Sequence, residues 1–297
     1  MNGDPFQITS SSKLNTLNQM IWNNGFTWAV LKRLKEITEE VYDGTCLYER
    51  FPQAQQPGLQ KGSKNLCAAA IICRGCPGTE SEVRPIYRTD DLIAEGRIQE
   101  YLVEYWARIS GVWFDKPESF FTSISQIKDS GTESLVYFDV NKRLVRKLIS
   151  LKHYNILRLA IDRIVIHNSI FITSSLKVVG FGRKDDGEFV IMVEQPYVEG
   201  DVVPEDERVS FMPNMGFSEA GEDYGMHLNY KTDSLYIGDL NDYNVIKGAD
   251  GIHVIDCDCR LNVPTLGCGG NYVFERPHVD WSVPFFTKDI KSVLSEY

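Results

Sequence analysis

The sequence predicts an α+β protein in which a mainly helical N-terminal module precedes a five-stranded antiparallel sheet that carries one helix. Over roughly the first 110 residues, apolar side chains recur at the three- and four-residue spacing of amphipathic helices. After about residue 120, short apolar runs alternate with turn residues, as in a meander of short strands. We therefore predict a helical module at 1–115 and a second domain at 116–297, in which a shorter, mainly helical segment follows the sheet to give two lobes.

The composition is that of an ordinary globular protein. With 43% hydrophobic and 24% charged residues, the sequence does not fit a disordered chain, a collagen or a coiled coil. The net charge of −10 argues against a broad nucleic-acid-binding surface. No apolar run approaches the roughly 20 residues that span a bilayer, and residues 1–20 lack the pattern of a secretory signal. We therefore expect no membrane partner and a cytoplasmic location.

Three amphipathic segments make up the predicted helical module. The first two lie at 14–21 and 30–41. The third runs from Asp90 to Ile109, where a preceding threonine can cap the helix and two aspartates favour its positive end. A loop with prolines and glycines is predicted at 52–65, and the apolar run Ala68–Ile72 is either a strand or one buried turn.

Four cysteines of this module leave two interpretations open. Cys73 and Cys76 form a CxxC pair, and Cys46 and Cys67 could complete a set of four zinc ligands. A second CxxC pair is missing, however, and Cys67 lies in an apolar stretch where cysteine packs well as a small hydrophobe. The alternatives are a structural zinc site and ordinary reduced thiols.

The predicted sheet is built from five short apolar runs. Turn residues separate the first three runs at 129–131 and 139–141, and connections of this length are typical of hairpins. A helix at 154–167 follows, and a charged turn that ends in Gly187 joins the last two runs. The five strands are predicted at 123–127, 135–138, 144–149, 176–181 and 189–193.

The strongest chemical signal lies in residues 235–258. Asp239 and Asn244 are five positions apart, and two short strands with a glycine turn separate Asn244 from Asp256. Such a hairpin would bring Asn244 and Asp256 to the same end of two paired strands, where their oxygen atoms suit a hard divalent cation that holds phosphates. Asp239 would lie where an attacking hydroxyl group gives up its proton.

These residues resemble the protein-kinase-like superfamily. The segment from Gly238 to Asn244 matches the D-x-x-x-x-N catalytic loop, and its Gly-Asp start is similar to the aminoglycoside and choline kinases. Asp256 takes the place of the metal-binding Asp of the D-F-G motif. With shorter matching runs elsewhere, the sequence resembles the bacterial kinase-like family of mobile-element polyvalent proteins over roughly residues 120–260.

The resemblance implies a two-lobed protein-kinase-like fold with a short C-terminal lobe, and phosphate transfer from ATP with Mg²⁺ as the metal. Asp239 would be the catalytic base, and Asn244 and Asp256 would be the metal ligands. Lys147, the last residue of a V-x-K match on the third strand, would bind phosphate.

The resemblance also locates the rest of a nucleotide site. Gly131 would lie in the turn that covers the phosphates. The adenine-binding segment after the last strand of the sheet would include Glu194, Gln195 and Tyr197. The family helix carries a Glu that pairs with the lysine, whereas the nearest acidic residue on the predicted helix here is Asp162.

Two functions from different classes stay open at this stage. The four intact site residues favour an ATP- and Mg²⁺-dependent phosphotransferase whose acceptor is a protein hydroxyl or a small molecule. The missing Glu, the single glycine of the phosphate turn and the 41 residues left after Asp256 favour a catalytically weak, pseudokinase-type nucleotide-binding or protein-interaction module. The sequence specifies neither the acceptor, nor a protein partner, nor the oligomeric state.

Overall fold

The computed structural model describes most of the second half of the chain and part of the first. Several predictions lie outside the described residues: both early helices, the first strand, most of the loop at 52–65, Gly131, Cys46 and Cys76. The described residues are 64–75, 89–121, 128–130, 134–139, 141–151, 154, 156–221, 228–232 and 235–261.

Among the described residues, two helices precede the sheet. Helix α1 spans Lys64–Gly75 and helix α2 spans Thr89–Ile109. Helix α2 matches the predicted helix to within one residue. Of the two alternatives for Ala68–Ile72, the strand is wrong, and the buried turn is the middle of the longer helix α1. Three consecutive alanines there favour helix and pack closely in the core. No helix of the described part of the chain is both long and apolar enough to cross a membrane.

The central sheet has six strands rather than the predicted five, and it is mixed rather than antiparallel. The strands are β1 (Trp113–Phe114), β2 (Lys128–Ser130), β3 (Ser134–Asp139), β4 (Leu144–Ser150), β5 (Lys177–Arg183) and β6 (Phe189–Pro196). They lie in the order β1-β5-β6-β4-β3-β2. Strand β1 is parallel to β5, and every other pair is antiparallel.

Two glycines allow the additional strand to approach β5. A Cβ atom on Gly180 would lie 2.6 Å from the Phe114 ring and from the Val112 carbonyl oxygen, and one on Gly182 would lie 2.6 Å from the Phe114 carbonyl oxygen. Only a residue without a Cβ atom fits at these two positions.

The turn predicted at 129–131 is wrong at its first two positions, because Asp129 and Ser130 pair with β3.

Helix α3, Leu157–Ile170, follows β4 and begins and ends three residues later than predicted. It packs against α1 and α2, and its apolar side chains share one core with both helices and with the inner face of the sheet. The Gln99 side chain on α2 accepts a hydrogen bond of 2.9 Å from the Arg158 backbone N–H in the first turn of α3. One core therefore includes residues from both sides of the boundary predicted between residues 115 and 116. The division into two domains stays a prediction.

The outer face of the sheet has a smaller apolar cluster of its own. The 3₁₀ helix Pro117–Phe121 lies over it, and Phe121 stacks on Tyr137 at 3.8 Å between ring centroids. Arg146 anchors this segment, since its guanidinium lies over the Phe120 ring and bonds the Phe120 carbonyl oxygen at 3.0 Å.

More of the described residues after β6 lie in strands than in helix, so the predicted mainly helical segment is wrong for this part of the chain. A single described helix, α4 (Glu205–Asn214), lies among them. The strands are β7 (Gly200–Val202), β8 (Ser218–Glu219), β9 (Tyr230–Lys231), β10 (Leu235–Gly238), β11 (Val245–Gly248), β12 (Gly251–Val254) and β13 (Asp258–Leu261). They form one sheet in the order β13-β10-β9-β8 and another in the order β12-β11-β7.

Candidate active site

The loop between β10 and β11 is held in shape by its own polar side chains. Asp239 follows the buried strand β10 and has a positive φ of 60°, a conformation that aspartate tolerates better than most residues. The next side chain, Leu240, is fully buried and anchors the loop in the core. Asn241 donates a hydrogen bond of 2.8 Å to Asp239 Oδ1 and accepts one from the Tyr243 N–H.

Asn244 closes this loop back onto Asp239. Its Nδ2 atom donates to the Asp239 carbonyl oxygen at 2.8 Å and to Asp239 Oδ2 at 3.0 Å. Both carboxylate oxygens of Asp239 thus accept hydrogen bonds from amide side chains. The structure brings the predicted base and the predicted metal ligand into direct contact.

The hairpin of β11 and β12 connects Asn244 with Asp256. Val245 pairs with Val254, and beyond this pair the Ile255 N–H donates to the Asn244 carbonyl oxygen at 2.8 Å. Asp256 is the next residue, so the two predicted metal ligands lie at the same end of the hairpin. Their side chains each offer an oxygen atom that accepts no hydrogen bond within the described residues, Oδ1 of Asn244 and Oδ2 of Asp256.

Lys147 reaches the same end of the hairpin from β4. It is 8% exposed, and its Nζ atom donates to the Ile255 carbonyl oxygen at 3.1 Å. Burial lowers the pKa of Lys147 below its ordinary value, and the nearby negative charge of Asp256 opposes that shift. The amine therefore points into the site rather than into solvent.

Asp256 pairs with an arginine on α3. Arg163 Nη2 lies 2.8 Å from Asp256 Oδ1, and the Asp256 side chain stays 43% exposed. Burial raises the pKa of Asp256, but the charges of Lys147 and Arg163 outweigh this effect and hold that pKa below its usual range. The charged side chains that act on Lys147 are those of Asp256 and Arg163.

Two further residues make contacts at the site that the sequence did not indicate. Arg163 had no assigned role, because the family pattern directs attention to an acidic residue on this helix. Gln195 was assigned to adenine binding, but its side chain is 1% exposed and its Nε2 atom donates to the carbonyl oxygens of Ser174, at 2.7 Å, and Ile255, at 3.0 Å. Gln195 and Lys147 therefore hold the same carbonyl group.

Glu194 and Tyr197, which are also predicted for the nucleotide, have other partners. Glu194 is on the outer face of the sheet, where its carboxylate pairs with Arg146 at 3.1 Å. The Tyr197 ring packs against Phe138 at 4.2 Å between centroids, and its backbone N–H bonds the Arg143 carbonyl oxygen. The Oε1 atom of Glu194 is therefore already engaged by Arg146.

Among the described residues, no three His, Cys, Asp or Glu side chains lie close enough together to form a metal site. These residues therefore add no ligand cluster to the zinc interpretation. Cys73 is buried in α1. Cys46 and Cys76 lie outside the described residues.

The comparison with known proteins gives one match. The model of a family described as "Serine/Threonine/Tyrosine Kinase found in polyvalent proteins" matches residues 96–263, which is more than half of the 297 residues. No curated protein and no solved structure matches the chain. The match includes all the residues that meet at the end of the hairpin, and the chain belongs to this kinase family of polyvalent proteins.

Proposed function

We propose that this chain is a phosphotransferase that uses ATP and Mg²⁺ and transfers phosphate to a hydroxyl group of a protein or a small molecule. The observation that supports this function best is a contact at the end of the β11–β12 hairpin. There a buried lysine of the sheet bonds the segment that carries the Asp256 carboxylate. Lys147 Nζ bonds Ile255, and Asp256 follows directly. The two-lobed arrangement inferred from the sequence is part of the same proposal.

The side chains present fit a magnesium ion. Mg²⁺ prefers oxygen ligands and usually takes one or two carboxylates together with phosphates and water. Asp256 would hold it with Oδ2, in a carboxylate that its low pKa keeps ionised at neutral pH, and Asn244 would contribute Oδ1. Bound there, Mg²⁺ would neutralise charge on the phosphates.

Each remaining side chain has a simple role in phosphate transfer. The acceptor oxygen attacks the terminal phosphorus as the bond to the bridging oxygen breaks, and ADP leaves with that oxygen. Asp239 would take the proton from the acceptor hydroxyl, because its carboxylate is held in place by the amides of Asn241 and Asn244. Lys147 would exchange its bond to Ile255 for one to a phosphate oxygen.

Calorimetry with ATP tests the binding step. We expect ATP to bind more tightly with Mg²⁺ than with EDTA, and we expect the magnesium-dependent part to disappear in Asp256→Asn. Asp258→Asn is the matched control, because it makes the same change in a partly exposed carboxylate two residues further on, which lies 3.6 Å from Arg260. Equal ATP binding with and without Mg²⁺ in the unsubstituted chain would refute the proposal.

Radiolabelled phosphate transfer tests the chemical step. The chain is incubated with γ-labelled ATP and with a general protein substrate, or with a hydroxylated small molecule in a coupled ADP-release assay. Asp239→Asn should keep magnesium-dependent binding and lose at least about a hundredfold in transfer, because general-base catalysis contributes roughly 10²–10⁴-fold. Asp242→Asn changes a neighbouring loop carboxylate that pairs with Arg208 and serves as the control.

A second candidate function is nucleotide binding without transfer. It is favoured by one observation, the presence of Arg163 at Asp256 where a kinase helix would direct a carboxylate at the lysine. Binding of Mg²⁺ and ATP by a chain that transfers phosphate to neither class of acceptor, with Asp239→Asn indistinguishable from the unsubstituted protein, would establish this function instead.

A further inference from the structure

Arg163 donates hydrogen bonds to three described residues, and two of these bonds hold the segment that contains the candidate metal ligand. Its Nη2 atom bonds Asp256 Oδ1 at 2.8 Å, and its Nε atom bonds the Cys257 carbonyl oxygen at 2.7 Å. The third goes from Nη1 to the Tyr154 hydroxyl. The side chain is only 15% exposed, so the guanidinium is fixed by these partners and by packing.

The bonds to Asp256 leave its two carboxylate oxygens unequal. Oδ1 accepts from Arg163 and from the Cys257 N–H at 3.0 Å. Oδ2 accepts no hydrogen bond from the described part of the chain. When one oxygen of a carboxylate is held in this way, the other points in a fixed direction. Loss of a group that orients a metal ligand typically weakens metal binding 10–100-fold.

We infer that Arg163 is a positioning residue that orients the metal-binding oxygen of Asp256, an inference that rests on the proposed function. In the kinase pattern, this helix would instead direct a glutamate at the lysine. Here the helix acts on the metal ligand directly, and Lys147 bonds the preceding carbonyl group. Residues 255–257 are thereby held by β4 and by α3 together.

Arginine is suited to this role for a geometric reason. The planar guanidinium presents Nη2 to a carboxylate and Nε to a carbonyl oxygen at the same time, whereas a lysine amine can occupy only one of these positions from the same backbone. Arg163→Lys should therefore restore part of the function that Arg163→Gln loses.

Magnesium titration of the ATP complex by calorimetry tests the role without any need for turnover. We expect Arg163→Gln to weaken magnesium binding 10–100-fold, to leave ATP binding in EDTA within about twofold, and to be partly rescued in Arg163→Lys. Tyr154→Phe is the matched control, because it removes the third bond of Arg163 without touching Asp256, and it should bind magnesium like the unsubstituted chain.

The outcomes separate this inference from the proposed function. If the unsubstituted chain binds ATP without magnesium dependence, both fail. If it shows the dependence and Arg163→Gln retains the same magnesium affinity, the positioning role alone is overturned. A loss of ATP affinity that is equal with and without magnesium in Arg163→Lys also overturns it, because that pattern indicates a purely structural arginine. If Arg163→Gln does not fold, Arg163→Lys decides by the same criteria.

Discussion

Acid should destabilise this fold through one buried histidine, and replacing His167 with glutamine should remove that part of the pH dependence. His167 lies on α3 and is 2% exposed. Its Nε2 atom bonds the Val254 carbonyl oxygen at 3.2 Å, and Nδ1 has no hydrogen-bond partner within the described residues. Burial, with help from the charge of Lys147, lowers the pKa of His167 to about 4 against the opposing effect of Asp256.

The sign and size of the effect follow from this pKa. In the unfolded chain His167 takes up a proton near pH 6.5, whereas in the folded chain it does so only near pH 4. Between these values the unfolded state binds one more proton, so the free energy of unfolding falls as the pH falls. A pKa difference of about 2.5, at about 1.36 kcal/mol per unit, amounts to about 3 kcal/mol, most of which is lost by about pH 4.5.

Urea unfolding at several pH values between about 7.5 and 4.5 measures this loss. The unsubstituted chain should lose about 2–3 kcal/mol more than His167→Gln over the range. The titration of Asp256 does not affect this comparison. Its pKa lies below 3.8, so its contribution to the free energy of unfolding is lost only in stronger acid. Parallel losses in the two proteins, or an NMR titration of the His167 ring with a midpoint near 6.5, would refute the reasoning.

Two further predictions concern the packing of the sheet. Gly180→Ala should destabilise the fold by about 1–3 kcal/mol in urea unfolding, because its Cβ atom would lie 2.6 Å from both the Phe114 ring and the Val112 carbonyl oxygen; an unchanged midpoint would mean that β1 is not held against β5. Arg183→Met should cost about 3 kcal/mol in the same assay, because it removes the guanidinium that pairs at 3.0 Å with the buried carboxylate of Glu100; a loss below about 1 kcal/mol would contradict this pairing.

The parts of the fold that the sequence predicted well are those with a strong local pattern. Strands β3, β4 and β6 contain apolar runs bounded by turn residues, and α2 has a clear helical period. The misassigned parts lack such a pattern. Strand β1 has two residues and forms only because the glycines of a distant strand accept it, and β2 contains an Asp-Ser pair that by itself favours a turn.

The same distinction between local patterns and long-range contacts applies to the candidate site. Asp239, Asn244 and Asp256 were found because they lie within one loop and one hairpin, so their spacing is visible in the sequence. Arg163 and Asp256 are 93 positions apart, and Lys147 and Ile255 are 108 positions apart. Lys147 was identified only through the family resemblance, and no local pattern distinguishes Arg163 from a solvent-exposed arginine on a helix.

The contacts that were not predictable converge on four consecutive residues. The Val254 carbonyl oxygen accepts from His167 and from Ser174, that of Ile255 from Lys147 and Gln195, and that of Cys257 from Arg163. Each successive part of the 254–257 segment is therefore tied to the sheet, to α3 or to the turn after α3.

This arrangement makes α3 a determinant of the site as well as of the core. Arg163 and His167 are four positions apart on the helix and so share the face that meets the 254–257 segment. The position of that face depends in turn on α1 and α2, which also pack against α3, and on the bond from the Arg158 N–H to Gln99. Helix α1 lies ahead of the family match, yet its buried alanines belong to the same core as α3. Substitutions that loosen α1 should therefore reach the orientation of Asp256 through α3, without any direct contact with the site.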